Sequence, residues 1–254
     1  MSDFFYAQCL LNTLIQHQLI HQNKEIMQIN LSKSFIYICL TFIIQSCSSA
    51  YVPNAVNTPL FGKKGETKVA IHAGTSGIDP QVSYAITNHI GIQMNGSFFN
   101  KASQVTGKLY DHQYAELAPG YYTKISEIFR FETYAGFGLG KLQPERENEL
   151  WDINSNINMS RVFIQPSVGL TNNIVDASFT TRFAAVTLDQ DDINRTGMFI
   201  EPVITGKVGY KYVKAIFQLG LSINLNNDDI YFMNGQPLLL SVGLQINVHK
   251  LFNL

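Results

Sequence analysis

A period of two, repeated along most of the chain, constrains its fold more than any other feature. From Phe129 to Gly140, the residues Phe129, Phe131, Thr133, Ala135, Phe137 and Leu139 fall in one series. Arg130, Glu132, Tyr134, Gly136, Gly138 and Gly140 fall in the other. Successive side chains of a strand point to opposite faces, so this segment reads as a strand with one greasy and one polar or small face. A helix would set Phe129, Glu132, Thr133 and Gly136 on one stripe, which is no core face.

The pattern recurs in four further segments. Val162, Ile164, Pro166, Val168 and Leu170 oppose Arg161, Phe163, Gln165, Ser167 and Gly169. Ala177, Phe179, Thr181, Phe183 and Ala185 oppose Ser178, Thr180, Arg182 and Ala184. Ala215, Phe217, Leu219, Leu221 and Ile223 alternate with Lys214, Ile216, Gln218, Gly220, Ser222 and Asn224, and Leu240 to Val248 continues the theme. Strands are expected near 65–73, 79–87, 89–99, 113–123, 128–140, 160–171, 174–187, 197–209, 212–224 and 236–249. Each is about 10 residues, the length a tilted strand needs to cross a bilayer. Links at 87–89, 123–127, 171–173 and 210–211 are short. Those at 74–80, 100–112, 141–159, 189–196 and 226–235 are longer. Alternation of long and short links belongs to an up-and-down barrel that crosses an outer membrane, with long loops outside and short turns in the periplasm. The expected fold is all-β: a closed antiparallel transmembrane β-barrel of about ten strands, with eight the nearest alternative. An even count puts both ends of the barrel on the periplasmic side.

The apolar run Phe35 to Ile44 follows Lys33 and ends in Gln45-Ser46-Cys47. It is shorter than the roughly 20 residues of a spanning helix and reads as a secretory signal. Ile44-Gln45-Ser46-Cys47 resembles the bacterial lipoprotein signal, which implies cleavage before Cys47 and lipidation of that residue. Gln45 replaces the usual small residue, and an ordinary signal with a coincidental cysteine is the alternative. Residues 1–26 have no clean period, and Met27 is the better start. The organisation read here is 1–26 as a mis-called or non-structural extension, 27–46 as signal peptide, 47–64 as lipidated terminus and polar linker, and 65–254 as barrel.

The linker Tyr51-Val52-Pro53-Asn54-Ala55-Val56-Asn57-Thr58-Pro59, the opening Gly65-Glu66-Thr67 and the run Tyr84 to Ile92 give the chain a likeness to a family. It resembles the small outer-membrane β-barrel lipoproteins of Gram-negative bacteria. That resemblance covers the mature chain and implies location and fold, with hardly an activity. Outer-membrane lipid is the implied partner, with envelope proteins or surface ligands reached through loops. A net charge of −1 and a pI near 6.6 give no reason to expect nucleic acid.

The inward series carries Lys68, Glu116, Arg130, Glu132, Arg161, Arg182, Glu201, Lys207 and Lys214. Paired acids and bases filling a narrow lumen explain them best, because an unpaired charge away from water is costly. A solute path lined with mixed charge is the competing reading, although open porins use about 16 strands or more. Pro119, Pro166 and Pro202 fall inside strands, where bulges are expected.

Catalytic groups are sparse. Neither Gly-x-Ser-x-Gly nor His-Glu-x-x-His occurs, and His72, His89, His112 and His249 have no metal-ligand spacing. Asp111 beside His112 is the one local pair that a rim-active enzyme could use. Asp189-Gln190-Asp191-Asp192 and Asn226-Asn227-Asp228-Asp229 lack the glycine and distal glutamate of a calcium loop and read as solvated tips. Glu145, Arg146, Glu147, Glu149 and Trp151 sit in the longest loop. No catalytic residue, metal or cofactor is assigned. The expected role is non-enzymatic, envelope-structural or loop-binding. The alternatives are a narrow channel, a lipid-tethered soluble periplasmic barrel, or a rim-active enzyme.

Overall fold

The computed structural model describes residues 51–102, 109–143, 157–190, 193–210, 212–226 and 238–251. The strands are β1 (Thr67–Gly74), β2 (Gly77–Ala85), β3 (Ile90–Ala102), β4 (Leu109–Lys124), β5 (Phe129–Gln143) and β6 (Ile157–Thr171). They continue with β7 (Val175–Gln190), β8 (Ile193–Gly209), β9 (Val213–Leu221), β10 (Ile223–Asn224) and β11 (Leu238–Asn247), followed by a single helical turn, α1 (Val248–Leu251). Every pairing is antiparallel, consecutive strands are neighbours from β1 to β9, and β11 lies between β9 and β1. This closes a barrel of ten strands. The short β10 pairs with β8 in the register that β9 sets, just beyond Ser222.

Four connections are short: 86–89, 125–128, 172–174 and 210–212. They share one end of the barrel, called here the turn end. At the opposite, long-loop end, 103–108, 144–156 and 225–237 connect strands. Two links expected to be long are tight hairpins instead. Gly74 pairs with Gly77 and Gln190 with Ile193, so β1–β2 and β7–β8 turn on two residues. The error has a physical source. Outward residues near the β7–β8 tip, namely Thr187, Asp189, Asn194 and Thr196, are polar, and polarity reads as loop although the backbone stays paired.

The hairpin at Thr75-Ser76 depends on Gly77, whose φ is 94°. A Cβ there would lie 2.3 Å from the Phe98 carbonyl oxygen. Gly77→Ala is therefore expected to cost about 1–3 kcal/mol through a strained left-handed backbone, measured as a lower urea midpoint with unchanged slope. Equal midpoints for the variant and wild type would contradict this geometry.

The prolines make no bulge. Pro80, Pro119, Pro166 and Pro202 each keep their partner on the preceding strand, namely Ile71, Ile92, Thr133 and Thr181. Pairing with the following strand is skipped for two residues and resumes in the same register. Proline lacks the N–H that the ladder would need on that side, so one missing donor suffices and no extra residue is inserted.

The two faces fall as the alternation predicts. Phe137, Phe179, Phe183, Phe217, Leu219 and Leu240 are among the exposed apolar side chains, with Phe217 at 57%. From Phe129 to Leu139 the apolar band spans ten residue steps, about 33 Å of strand, or about 25 Å of height at a tilt of about 40°. The lumen holds the polar series. The wall is uneven: β4 to β8 run 15 to 17 residues, whereas β1, β2, β9 and β11 run 8 to 10. On the tall side, Gln113, Lys141, Asn158, Ser160, Thr187 and Asp189 continue the outer face above the apolar band.

Candidate functional site: a lumen filled by residues 51–61

Residues 51–61 are buried throughout, inside the barrel. The polar segment expected to be a solvated linker is instead the filling of the lumen. It carries two prolines, three polar side chains between Asn54 and Thr58, and no period, so it has no ladder of its own to join. Every carbonyl from Asn54 to Leu60, and the N–H groups of Ala55, Val56 and Leu60, bond to side chains of the wall, as burial of backbone polar groups requires.

The segment descends from the long-loop half to the turn end. The Tyr51 hydroxyl donates to Glu201 Oε1 at 3.0 Å and accepts from Arg161 Nη1 at 2.5 Å. Its ring packs on Phe199 at 4.7 Å between centroids. Asn54 Oδ1 accepts from Arg161 at 2.8 Å and from Arg182 at 2.7 Å, while its Nδ2 donates to Glu116 at 3.2 Å. Asp79 accepts the Ala55 N–H at 2.7 Å, and Gln81 donates to the Ala55 carbonyl at 2.9 Å. Gln218 grips Val56 twice, accepting from its N–H and donating to its carbonyl. The Asn57 carbonyl accepts from Gln93 and Gln165, and its side chain meets Asn95 and Ser83. Lower down, Lys207 donates to the Thr58 carbonyl at 2.6 Å, and Lys68 to the carbonyls of Pro59 and Leu60. Leu60, at φ 51°, turns the chain outward and donates its N–H to Glu132 at 2.9 Å. Phe61 ends among Ala85 and Tyr122 at the turn end.

Read down a single strand, the same order appears. On β6, Arg161 meets Tyr51 and Asn54, Gln165 meets Asn57, and Gly169 lies against Leu60. On β8, Glu201 meets Tyr51 and Lys207 meets Thr58.

The nine inward charges divide into three groups. Glu116 pairs with Arg161, and Arg182 Nε with Glu201 at 2.5 Å, all almost wholly buried. Lys68, Glu132 and Lys207 serve the main chain of the plug. Arg130 and Lys214 make no bond to the plug, although Lys214 pairs with Asp176. Arg130 donates to the carbonyls of Ser126, Glu127 and Phe129, and Lys214 to Asp176 and the Asn172 carbonyl, so both brace turns. Pairing of acids with bases, expected for the set as a whole, thus holds for a part of it. Asp79, Asp176 and the lumen amides Gln81, Gln93, Asn95, Gln165 and Gln218 complete the site and were not singled out from sequence. The signal was there, since each occupies the inward series of a strand.

Above Tyr51, Leu142, Ile157, Met159, Val186 and Leu188 turn inward on the tall wall and form an apolar layer with Tyr114 and Phe163. The Arg161 guanidinium lies over the Tyr114 and Phe163 rings at 5.1 and 5.5 Å. Gly136 is no open constriction: a Cβ there would meet the Phe163 ring at 2.4 Å.

Asp111 and His112 do not form a pair. Adjacent strand residues face opposite ways, so Asp111 meets Asn100 on the outside while His112 turns into the wall, 4% exposed. There His112 Nε2 lies 3.0 Å from Ser97 Oγ, which donates to Asp79 at 2.6 Å. The three residue types of a hydrolase are present in the wrong order, with the carboxylate on the serine and not on the imidazole. Ser97 is 0% exposed and Asp79 is occupied by Ala55 and Ser76, so the cluster anchors the plug. Among the described residues, no group of three or more His, Cys, Asp or Glu is gathered for a metal. Cys47, the loop 145–151, Asp191, Asp192 and 227–229 lie outside the described residues. The chain matches no protein-family model, and no curated protein is similar to it.

Proposed function

We propose that this chain is a membrane-spanning outer-membrane barrel, lipid-modified at Cys47 and kept non-conducting by its own residues 51–61. Its role is envelope-structural or loop-binding, and no catalysis is assigned to it. The observation that carries the reading is the inversion of faces: large apolar side chains circle the outside while the lumen below the apolar layer of the tall wall is mostly amide, hydroxyl and charge. A soluble barrel keeps its apolar side chains inside. The turn end, where β11 ends, faces the periplasm in this reading, and the tall polar wall of β4 to β8 with its loops faces outward. That wall is the surface on which a partner would be met.

A charged residue in the band tests it. Phe179 lies mid-band on β7 and is 50% exposed. Phe179→Arg is expected to cost about 2–4 kcal/mol in a bilayer, read from urea unfolding of the barrel refolded into vesicles. A barrel that does not meet lipid would lose no more than about 0.5 kcal/mol from an exposed substitution. Retention in the membrane fraction by Cys47→Ser is the companion result; its release to the soluble fraction would leave only a tethered domain.

The second reading, a gated channel, is favoured by one feature. The plug is held largely by hydrogen bonds to side chains, and such contacts can be exchanged for water.

A further inference from the structure

The direction of the plug bears on where the amino terminus emerges. Tyr51 lies at the level of Arg161 on β6, and Thr171 marks the turn end of that strand. Ten residues separate them, about 33 Å of strand or about 25 Å of barrel height. Cys47 is four residues upstream of Tyr51, and four residues span at most about 14 Å. The route down is also occupied, because residues 52–61 fill the lumen between Tyr51 and the turn end. The way up is shorter. Ala55 is held by Asp79, which also accepts from Ser76 in the β1–β2 hairpin tip, so the plug reaches the level of the low wall within a few residues of Tyr51.

We infer that the chain upstream of Tyr51 leaves the barrel at the long-loop end, and that a lipid on Cys47 is carried at the outer face of the membrane. The last strand, β11, ends at the turn end, on the other side. Counting strands alone places both termini at the turn end, with the acyl chains in the inner leaflet. The plug adds one more passage through the barrel, and that passage reverses the side. The ligand is the apolar interior of the outer leaflet, met by the acyl chains of the modified cysteine. The inference rests on the membrane-spanning reading above and deepens it.

Single thiols decide the matter. The processed chain has no cysteine besides Cys47, so wild type with its thiol acylated is the blank for a membrane-impermeant maleimide. Ser49→Cys reports the amino terminus, Asn148→Cys the longest loop and Asn173→Cys an exposed turn. The expected result is labelling of Ser49→Cys and Asn148→Cys in intact cells, and of Asn173→Cys only after permeabilisation. If Ser49→Cys is labelled only together with Asn173→Cys, or in neither condition while Asn148→Cys reacts, the outward exit is wrong. Failure of Asn148→Cys to react in intact cells would instead remove the spanning orientation, and the inference with it. Labelled palmitate, taken up by wild type and lost in Cys47→Ser, separates absence of the lipid from error in its side.

Discussion

Replacing residues 51–61 with a glycine-serine segment of equal length is expected to turn a silent barrel into a conducting one. The wall contacts of the plug include Lys68, Asp79, Gln81, Gln93, Glu116, Glu132, Arg161, Gln165, Arg182, Lys207 and Gln218. With the plug gone, these groups must be solvated, because collapse onto one another would strand polar atoms without partners. Water entering the lumen is the cheaper outcome. Three acids and four bases are among these wall contacts, a nearly balanced set, so the current should discriminate weakly between cations and anions. The intact protein in a planar bilayer should show no sustained current, and the replaced variant steady openings. A synthetic peptide of residues 51–61 added on the long-loop side should reduce them. Steady current through the intact protein would refute the plug. A folded but silent variant would show that the wall closes by itself.

The largest single-residue effect is expected at Arg182. Its Nε meets Glu201 at 2.5 Å, and its two terminal nitrogens reach Asn54 Oδ1 at 2.7 Å and the Asn54 carbonyl at 3.1 Å. The side chain is 1% exposed and that of Glu201 0%. Arg182→Ala leaves a buried carboxylate with only the Tyr51 and Ser222 hydroxyls and loosens the plug at once. Breaking such a pair from one side costs about 3–5 kcal/mol. Arg182→Lys should recover only part of the loss, because an ammonium cannot present the planar fork that spans Glu201 and Asn54. Lys124→Ala is the control. Its bond to Glu127 lies on the exposed turn 125–128, where solvent screens it, and no measurable change is expected. Urea unfolding in one lipid composition compares all three. A loss at Arg182 no larger than at Lys124 would mean that the buried network contributes no net stability.

Both predictions concern groups whose inward direction is legible in the chain but whose partners are not. The period of two is a local property, so strand positions, the greasy outside and the polar inside follow from residues a few places apart. Phe129 to Gly140 shows it in one segment. The nine inward charges were legible for the same reason. Partner choice was not. Arg161 meets Glu116 on a strand two away in the wall, and Gln218 holds Val56 at a separation of 162 residues. The Asp111–His112 pair failed on the same rule that made the strands readable, since neighbours in a strand part to opposite faces.

What the sequence determined by itself is the wall in outline: its strands and its two faces, but not the unbroken register at the prolines or the paired polar tips of β7 and β8. The tertiary structure decided the contents. Residues 51–61 have no period, no amphipathic face and no pairing partner, so nothing local distinguishes a solvated linker from a buried plug. Only closure of ten strands brings the carboxylates, amides and cations around them. Every carbonyl from Asn54 to Leu60 then finds a side-chain partner on the wall.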